Sequence, residues 1–188
     1  MRAEINESDV NSLLVSLNAL GVEGPKILSR ALNKTADKAK TLASRAIREQ
    51  VALKAAYVKG KLNIRKANPL NLRASLGAEQ RGVLMTQYTY SVLRRGGVTV
   101  KIKPTGARAK LPKAFVVNLK AGSKTVPAIA VRDPSGGRYS TGNAKIIVYY
   151  SPSISQVFNS VRDDIKEETA DYLKSVTDSE LAAYLRGF

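Results

Sequence analysis

Apolar positions fall into three regimes along the chain. Between residues 9 and 20, Val10, Leu13, Leu14, Leu17 and Leu20 recur at spacings of three and four, which predicts a short helix stopping at Gly21. From about residue 26 to 59 there is no Gly or Pro, and Ala, Leu, Lys and Arg dominate, which predicts one long helix entered through Gly24-Pro25. Its apolar stripe is narrow and made largely of small residues: Leu28, Leu32, Ala36, Ala39, Ala43, Ala46 and Ile47. Such a helix spans roughly 45–50 Å, longer than is usual in globular proteins, and leaves room for one break. The small-residue stripe requires close packing against another element or another subunit. After Gly60 the basic run continues, and Ile64-Arg65-Lys66-Ala67 leaves the helix.

Residues 70–150 change period. Leu70, Leu72 and Ala74 alternate with polar neighbours, and Val83, Leu84 and Met85 precede Tyr88 and Tyr90. Val98, Val100 and Ile102 alternate strictly with Thr99, Lys101 and Lys103, the mark of a half-buried strand with a basic outer face. Gly96-Gly97 supplies the turn before it and Pro104 closes it. Residues 106–110 read as a mobile basic loop. Further strands are predicted from residue 114, over 126–131 (at a sheet edge because of Pro127) and over 145–150, with Gly136-Gly137 as a hairpin turn.

Beyond Ser151-Pro152-Ser153 the helical period returns. Val157, Val161, Ile165, Tyr172 and Val176 form its face, Ser153 with Gln156 fits a capping box, and Thr177 with Glu180 suggests a second cap. The order predicts an α+β chain: N-terminal helices including one long basic helix, a central antiparallel sheet of about four strands, and an acidic C-terminal helix. Residues 1–188 read as a single domain in four stretches: a helical segment over 1–23, the basic helix over 24–66, the sheet over 67–150 and the final helices over 151–188.

Composition narrows the chemistry. The 188 residues include no Cys and no His, which removes thiol nucleophiles, disulfides, thiolate and imidazole metal ligands, and Ser-His-Asp catalysis. No cofactor or metal site is implied, and an enzyme would have to work with carboxylate, Lys, Tyr and hydroxyl alone. The first residues lack the apolar run of a signal peptide, and no stretch approaches the roughly 18 apolar residues of a membrane span.

The formal charge of +16 is unevenly spread. Net charge is −3 over residues 1–23, +10 over 24–66, +12 over 67–150 and −3 over 151–188. A strongly basic middle attracts phosphate or an acidic partner. Its candidate phosphate-facing residues are Lys34, Lys38, Arg45, Arg48, Lys59, Lys61, Arg65 and Lys66 on or after the long helix, and Arg94, Arg95, Lys101, Lys103, Arg108 and Lys110 in the sheet region. Nothing resembles a helix that reads base edges, so any phosphate contact is independent of sequence. Asp164, Glu167, Glu168 and Asp171 form i,i+4 pairs on the final helix, a solvated face or a protein-docking surface. Neither Gly96-Gly97 nor Gly136-Gly137 has the spacing of a nucleotide-binding loop. The eight Tyr read mainly as core and strand packing rather than as base-stacking platforms.

Three stretches, in order, carry a resemblance to a known family. They are Ile27-Leu28-Ser29-Arg30-Ala31-Leu32-Asn33-Lys34-Thr35-Ala36 running on to Lys61-Leu62-Asn63-Ile64-Arg65-Lys66-Ala67, then Val98-Thr99-Val100-Lys101-Ile102 with Pro112-Lys113-Ala114-Phe115-Val116, then Ser151-Pro152-Ser153-Ile154-Ser155-Gln156-Val157-Phe158. Together they resemble the phage minor tail protein Z family, tail completion proteins of long-tailed phages. The chain departs from more basic relatives in its acidic final helix. The resemblance implies a virion protein assembled in the host cytoplasm and placed at the head-proximal end of the tail. It implies a homo-oligomeric ring, by analogy with phage necks a hexamer. Its expected neighbours are tail terminator, tail tube or head–tail connector subunits and the end of the DNA genome, with no membrane partner. The family has no catalytic residues to carry over. The alternative is a free, non-specific nucleic-acid-binding protein.

Overall fold

The structure is a computed structural model that describes residues 2–4, 21, 23–121, 123–132, 139–141 and 144–187. The helix predicted over 9–20 and the turn at Gly136-Gly137 lie outside the described residues. The fold is α+β, with long helices and several small antiparallel sheets. The chain divides into two compact units, one comprising Met1–Ile47, Val58–Gln80 and Ile154–Phe188, the other Arg48–Tyr57 and Arg81–Ser153.

In the first unit β1 (Arg2–Glu4) precedes α1 (Glu23–Gln50), whose first turn accommodates Pro25 because no helical N–H is needed there. The predicted stripe is buried along α1 at Leu28, Leu32, Ala36, Ala39, Ala43 and Ile47, joined by Ile27 and Ala31, while Ala46 is only half-buried. Thr35, buried in the same row, satisfies its hydroxyl by donating to the Ala31 carbonyl at 2.8 Å. The long helix does break. It stops at Gln50 and resumes as α2 (Ala55–Gly60), because Val51 and Leu53 are buried and the Ala52 amide donates to the Ile102 carbonyl at 2.7 Å. Non-local burial and a non-local hydrogen bond outweigh a favourable local propensity.

Leaving α2, the chain forms β2 (Leu62–Arg65), which pairs with β3 (Ser75–Ala78), and β1 lies on the other side of β3. The alternation at Leu70, Leu72 and Ala74 does not mark a strand. Asn68 and Asn71 exchange two backbone hydrogen bonds of 3.0 Å, and the Asn68 carboxamide accepts from the amides of Leu70 and Asn71. This Asx-type turn leaves Leu70 100% exposed while Ala74 is buried. The Asn33 side chain of α1 clamps the segment by bonding both the N–H and the carbonyl of Ala67.

The final helical region consists of α3 (Ile154–Val161) and α4 (Lys166–Arg186), separated by a turn over 162–165. The helix begins directly after Ser153. The predicted second cap is absent: α4 runs through Thr177, which is buried and donates to the Leu173 carbonyl at 2.8 Å. One core joins α1 to α4, with Ile27, Leu28, Ala31, Leu32 and Ala36 against Leu173 and Val176, flanked by Ala67 and Ala74. The small side chains of α1 therefore pack against α4 within the chain.

The second unit holds β4 (Gly82–Leu84), a 3-10 turn over Met85–Gln87, β5 (Thr89–Val92), β6 (Val98–Lys101), β7 (Ala109–Leu111), β8 (Phe115–Ala121), β9 (Lys124–Arg132), β10 (Tyr139–Thr141), β11 (Ala144–Val148) and β12 (Tyr150–Ser153). The expected single sheet is split into sheets ordered β5-β6-β7, β10-β11-β9-β8 and β12-β4. Short strands bounded by Gly and Pro explain the division, as does the irregularity between Ser151 and Ser153, where Pro152 offers no N–H. Strand β9 is not an edge strand. It has β11 on one side over Ala130–Arg132 and β8 on the other over Lys124–Ala130, and Pro127, opposite Asn118, falls where β8 is the sole ladder partner. Ala128, Ala130, Ile146 and Val148 form its core with Leu84, Phe115, Val117 and Leu119. The predicted mobile loop also becomes partly ordered, since Ala109–Leu111 pair with β6.

Candidate interaction surfaces

The cations of the first unit meet acids distant in sequence. Lys34 on α1 pairs with Glu180 on α4. One turn on, the Lys38 ammonium lies 3.3 Å from Glu168 and 5.6 Å from the centre of the Tyr172 ring. Lys61 is 2.7 Å from Glu79. Exposed pairs of this kind contribute about 0–1 kcal/mol each. Their larger consequence is electrostatic cancellation: three predicted phosphate-facing lysines, and Glu168 of the predicted docking set, are matched to each other or to neighbouring acids. Arg48, Lys59, Arg65 and Lys66 are exposed, as is Arg45. Glu167 and Asp171 are exposed on α4, and Asp164 sits in the turn before it, so the Asp164–Glu168 helical pair does not form.

Sorting charge by compact unit redraws the distribution. The first unit has 16 Lys and Arg against 13 Asp and Glu, net +3, whereas the second has 15 against 2, net +13. No acid occurs anywhere between Arg81 and Arg132. The basic helix is thus partly offset by the acidic helix beside it, and most of the uncompensated charge belongs to the β-rich unit.

Within that unit the register of the β5-β6-β7 sheet gathers polar groups on one face. Ser91 lies opposite Thr99, which lies opposite Lys110, and Thr89 lies opposite Lys101. Side chains directly opposite in antiparallel strands share a face. Arg108, just before β7, donates from Nη1 to the Ser91 hydroxyl at 2.8 Å, so its guanidinium crosses the intervening strand β6. The other face carries Val98 and Val100, both 0% exposed. Arg94 and Arg95 are exposed in the β5–β6 turn, and Lys103 is exposed beyond β6. The cations were legible as an alternating strand, but their neighbours Thr89 and Ser91 were not, because which strand pairs with β6, and in what register, is not written in either strand alone.

Tyr88 serves the core. It is buried and its hydroxyl shares a 2.8 Å hydrogen bond with the buried Ser151. Burial raises its pKa above the ordinary 10.0, partly offset by the Ser151 bond and reinforced by Tyr57. The folded form holds this proton more tightly than the unfolded form, so stability is intact below the unfolded pKa of about 10 and falls as pH rises through the folded value. Alkaline unfolding of Tyr88→Phe, followed by circular dichroism, is expected to show a shallower loss of stability above about pH 10 than the wild type.

Among the described residues, no group of three or more His, Cys, Asp or Glu is placed to hold a metal ion, and no helix is long and apolar enough to cross a membrane. Comparison with known proteins gives one family match: the model for prophage minor tail protein Z (GPZ) matches residues 11–188. No curated protein and no solved structure matches the chain.

Proposed function

Because the chain belongs to the prophage minor tail protein Z family, and so is a structural protein of the phage tail, we propose that it is the completion subunit at the head-proximal end of that tail. The family match over residues 11–188 carries this reading. Copies assemble as a ring, a hexamer, between the tail tube or terminator and the head–tail connector. They meet the end of the DNA genome without reading its sequence. The charge distribution supports a division of labour. A unit of net +3 suits protein contacts, with Glu167 and Asp171 as docking residues, and a unit of net +13 suits a polyanion. No catalytic role is assigned to any residue.

The rival reading is a free nucleic-acid-binding protein, favoured by the overall +16. The two separate in one experiment. Purified protein mixed with tails assembled without it is expected to pellet with those tails at about 0.2 M salt, where long-range attraction between exposed charges is screened. Failure to pellet, together with submicromolar duplex binding at about 0.2 M salt, would overturn the structural reading in favour of its rival.

A further inference from the structure

We infer that the outer face of the β5-β6-β7 sheet, and not the long basic helix, is the phosphate-binding surface of this protein, and that its ligand is the sugar–phosphate backbone of duplex DNA. The inference deepens the proposed genome contact and rests on it for the setting.

Three observations converge on this face. Lys101, Arg108 and Lys110 stand beside the exposed hydroxyls of Thr89 and Ser91, as the strand register and the Arg108–Ser91 hydrogen bond place them, while Thr99, in register between Ser91 and Lys110, is buried and donates its hydroxyl to the Ser91 carbonyl at 3.4 Å. Lys and Arg together with Ser and Thr hydroxyls are the side chains that contact phosphate oxygens in protein–DNA interfaces. Secondly, the face lacks the apolar centre of a protein-docking surface, since Val98 and Val100 point to the buried side of β6. Thirdly, no acid in the segment from Arg81 to Arg132 competes for these cations. The helix α1 fails the last test, because Lys34 and Lys38 already face Glu180 and Glu168.

The arrangement also defines what is recognised. Arg108 is held across β6 by one Nη1 bond to Ser91, which leaves its other N–H donors for an anion. Tyr90 lies in the row of Val100, on the opposite face, so these three strands place no aromatic ring on the binding face to stack on a base. The ligand is therefore read through its backbone, without base preference and with strong salt dependence.

The test is binding of a short random-sequence duplex to the full chain by fluorescence anisotropy across a salt series. The variant Lys101→Ala/Arg108→Ala/Lys110→Ala is expected to bind at least about tenfold more weakly than wild type at low salt, with the slope of log K against log salt reduced by about 2.7. The charge-conserving variant Lys101→Arg/Arg108→Lys/Lys110→Arg keeps most of both, and Lys34→Ala/Lys38→Ala leaves both unchanged. Far-UV circular dichroism verifies the fold of each, and the single change Lys110→Glu, at an exposed position, gives the same direction of effect should the triple variant unfold. The inference is wrong if wild type binds no duplex at low salt, if the sheet variant binds like wild type, or if the helix variant loses as much. Pelleting with tails distinguishes the levels. A chain that joins tails and ignores duplex sinks this inference and leaves the tail reading standing. A sheet variant that loses tail association, with no duplex binding by wild type, makes the face a protein contact instead.

Discussion

Leu173→Ala is expected to lower the stability of the protein by about 2–5 kcal/mol, seen as a fall in the urea midpoint without a change in slope. Leu173 is 1% exposed and sits on α4 where that helix meets the small-residue stripe of α1. The hydrophobic transfer of the lost atoms is one part of the cost. The cavity is the other, and it is large here for a geometric reason. Ala31 and Ala36 are too small to reach into the space, and Leu28 and Leu32 are already fully buried in the same core and can fill it only by leaving other contacts. Thr177, one turn on, is tied to the Leu173 carbonyl, which resists local rearrangement of α4. The ion pairs beside this core, Lys34–Glu180 and Lys38–Glu168, contribute about 0–1 kcal/mol each and do not offset the loss. A loss under about 1 kcal/mol would show that the two helices close over the gap, and the small-residue stripe would then not define their separation.

That interface also marks the limit of what the residues reveal by themselves. The stripe on α1 and the apolar face of α4 were legible because helical periodicity is local, written in residues three and four apart. Their mutual partnership was not, because Lys34 and Glu180 are 146 positions apart. The same separation concealed the charge pattern. Counted along the chain, residues 24–66 form a block of +10, yet in the fold part of that block is answered by the acids of α4. The break in the long helix has an equally non-local cause, since residues 51–54 leave the helix to bury Val51 and Leu53 and to reach Ile102.

Strands were legible where alternation was strict, as at Val98–Lys101, and illegible where turn chemistry mimicked it, as at Leu70 and Leu72. Pro127 misled because a proline forbids a ladder partner only at its own N–H, and β11 joins β9 three residues further on. The division of the strands among small sheets followed from pairing, which no single strand encodes. Of the candidate cations, Lys101, Arg108 and Lys110 proved to share a face with the hydroxyls of Thr89 and Ser91, a partnership set by the pairing of β5 with β6 and not by either strand alone.

Gly97→Ala is expected to destabilise the protein by about 2–4 kcal/mol, more than Gly96→Ala, and to disturb the sheet face described above. Both glycines have positive φ, +86° at Gly96 and +94° at Gly97, so either substitution strains the backbone by about 1–2 kcal/mol. They differ in surroundings. A Cβ on Gly96 meets no atom within 4 Å, whereas one on Gly97 lies 2.9 Å from the Leu111 carbonyl oxygen and 3.4 Å from the Pro112 Cα. Both obstacles are backbone atoms beside β7, which cannot rotate away as a side chain can. The turn is held meanwhile by the Leu93 amide donating to the Gly97 carbonyl at 3.0 Å and the Gly96 amide to the Leu93 carbonyl at 3.1 Å, so relief must come from separating β6 and β7. That movement pulls Lys110 away from Thr99 and Arg108 away from Ser91. Thermal unfolding of the two variants isolates the contact, because backbone strain is common to both. Equal losses would mean that β7 yields without cost. In that case the preorganisation of Arg108 would contribute little, and Gly97→Ala would bind duplex as wild type does.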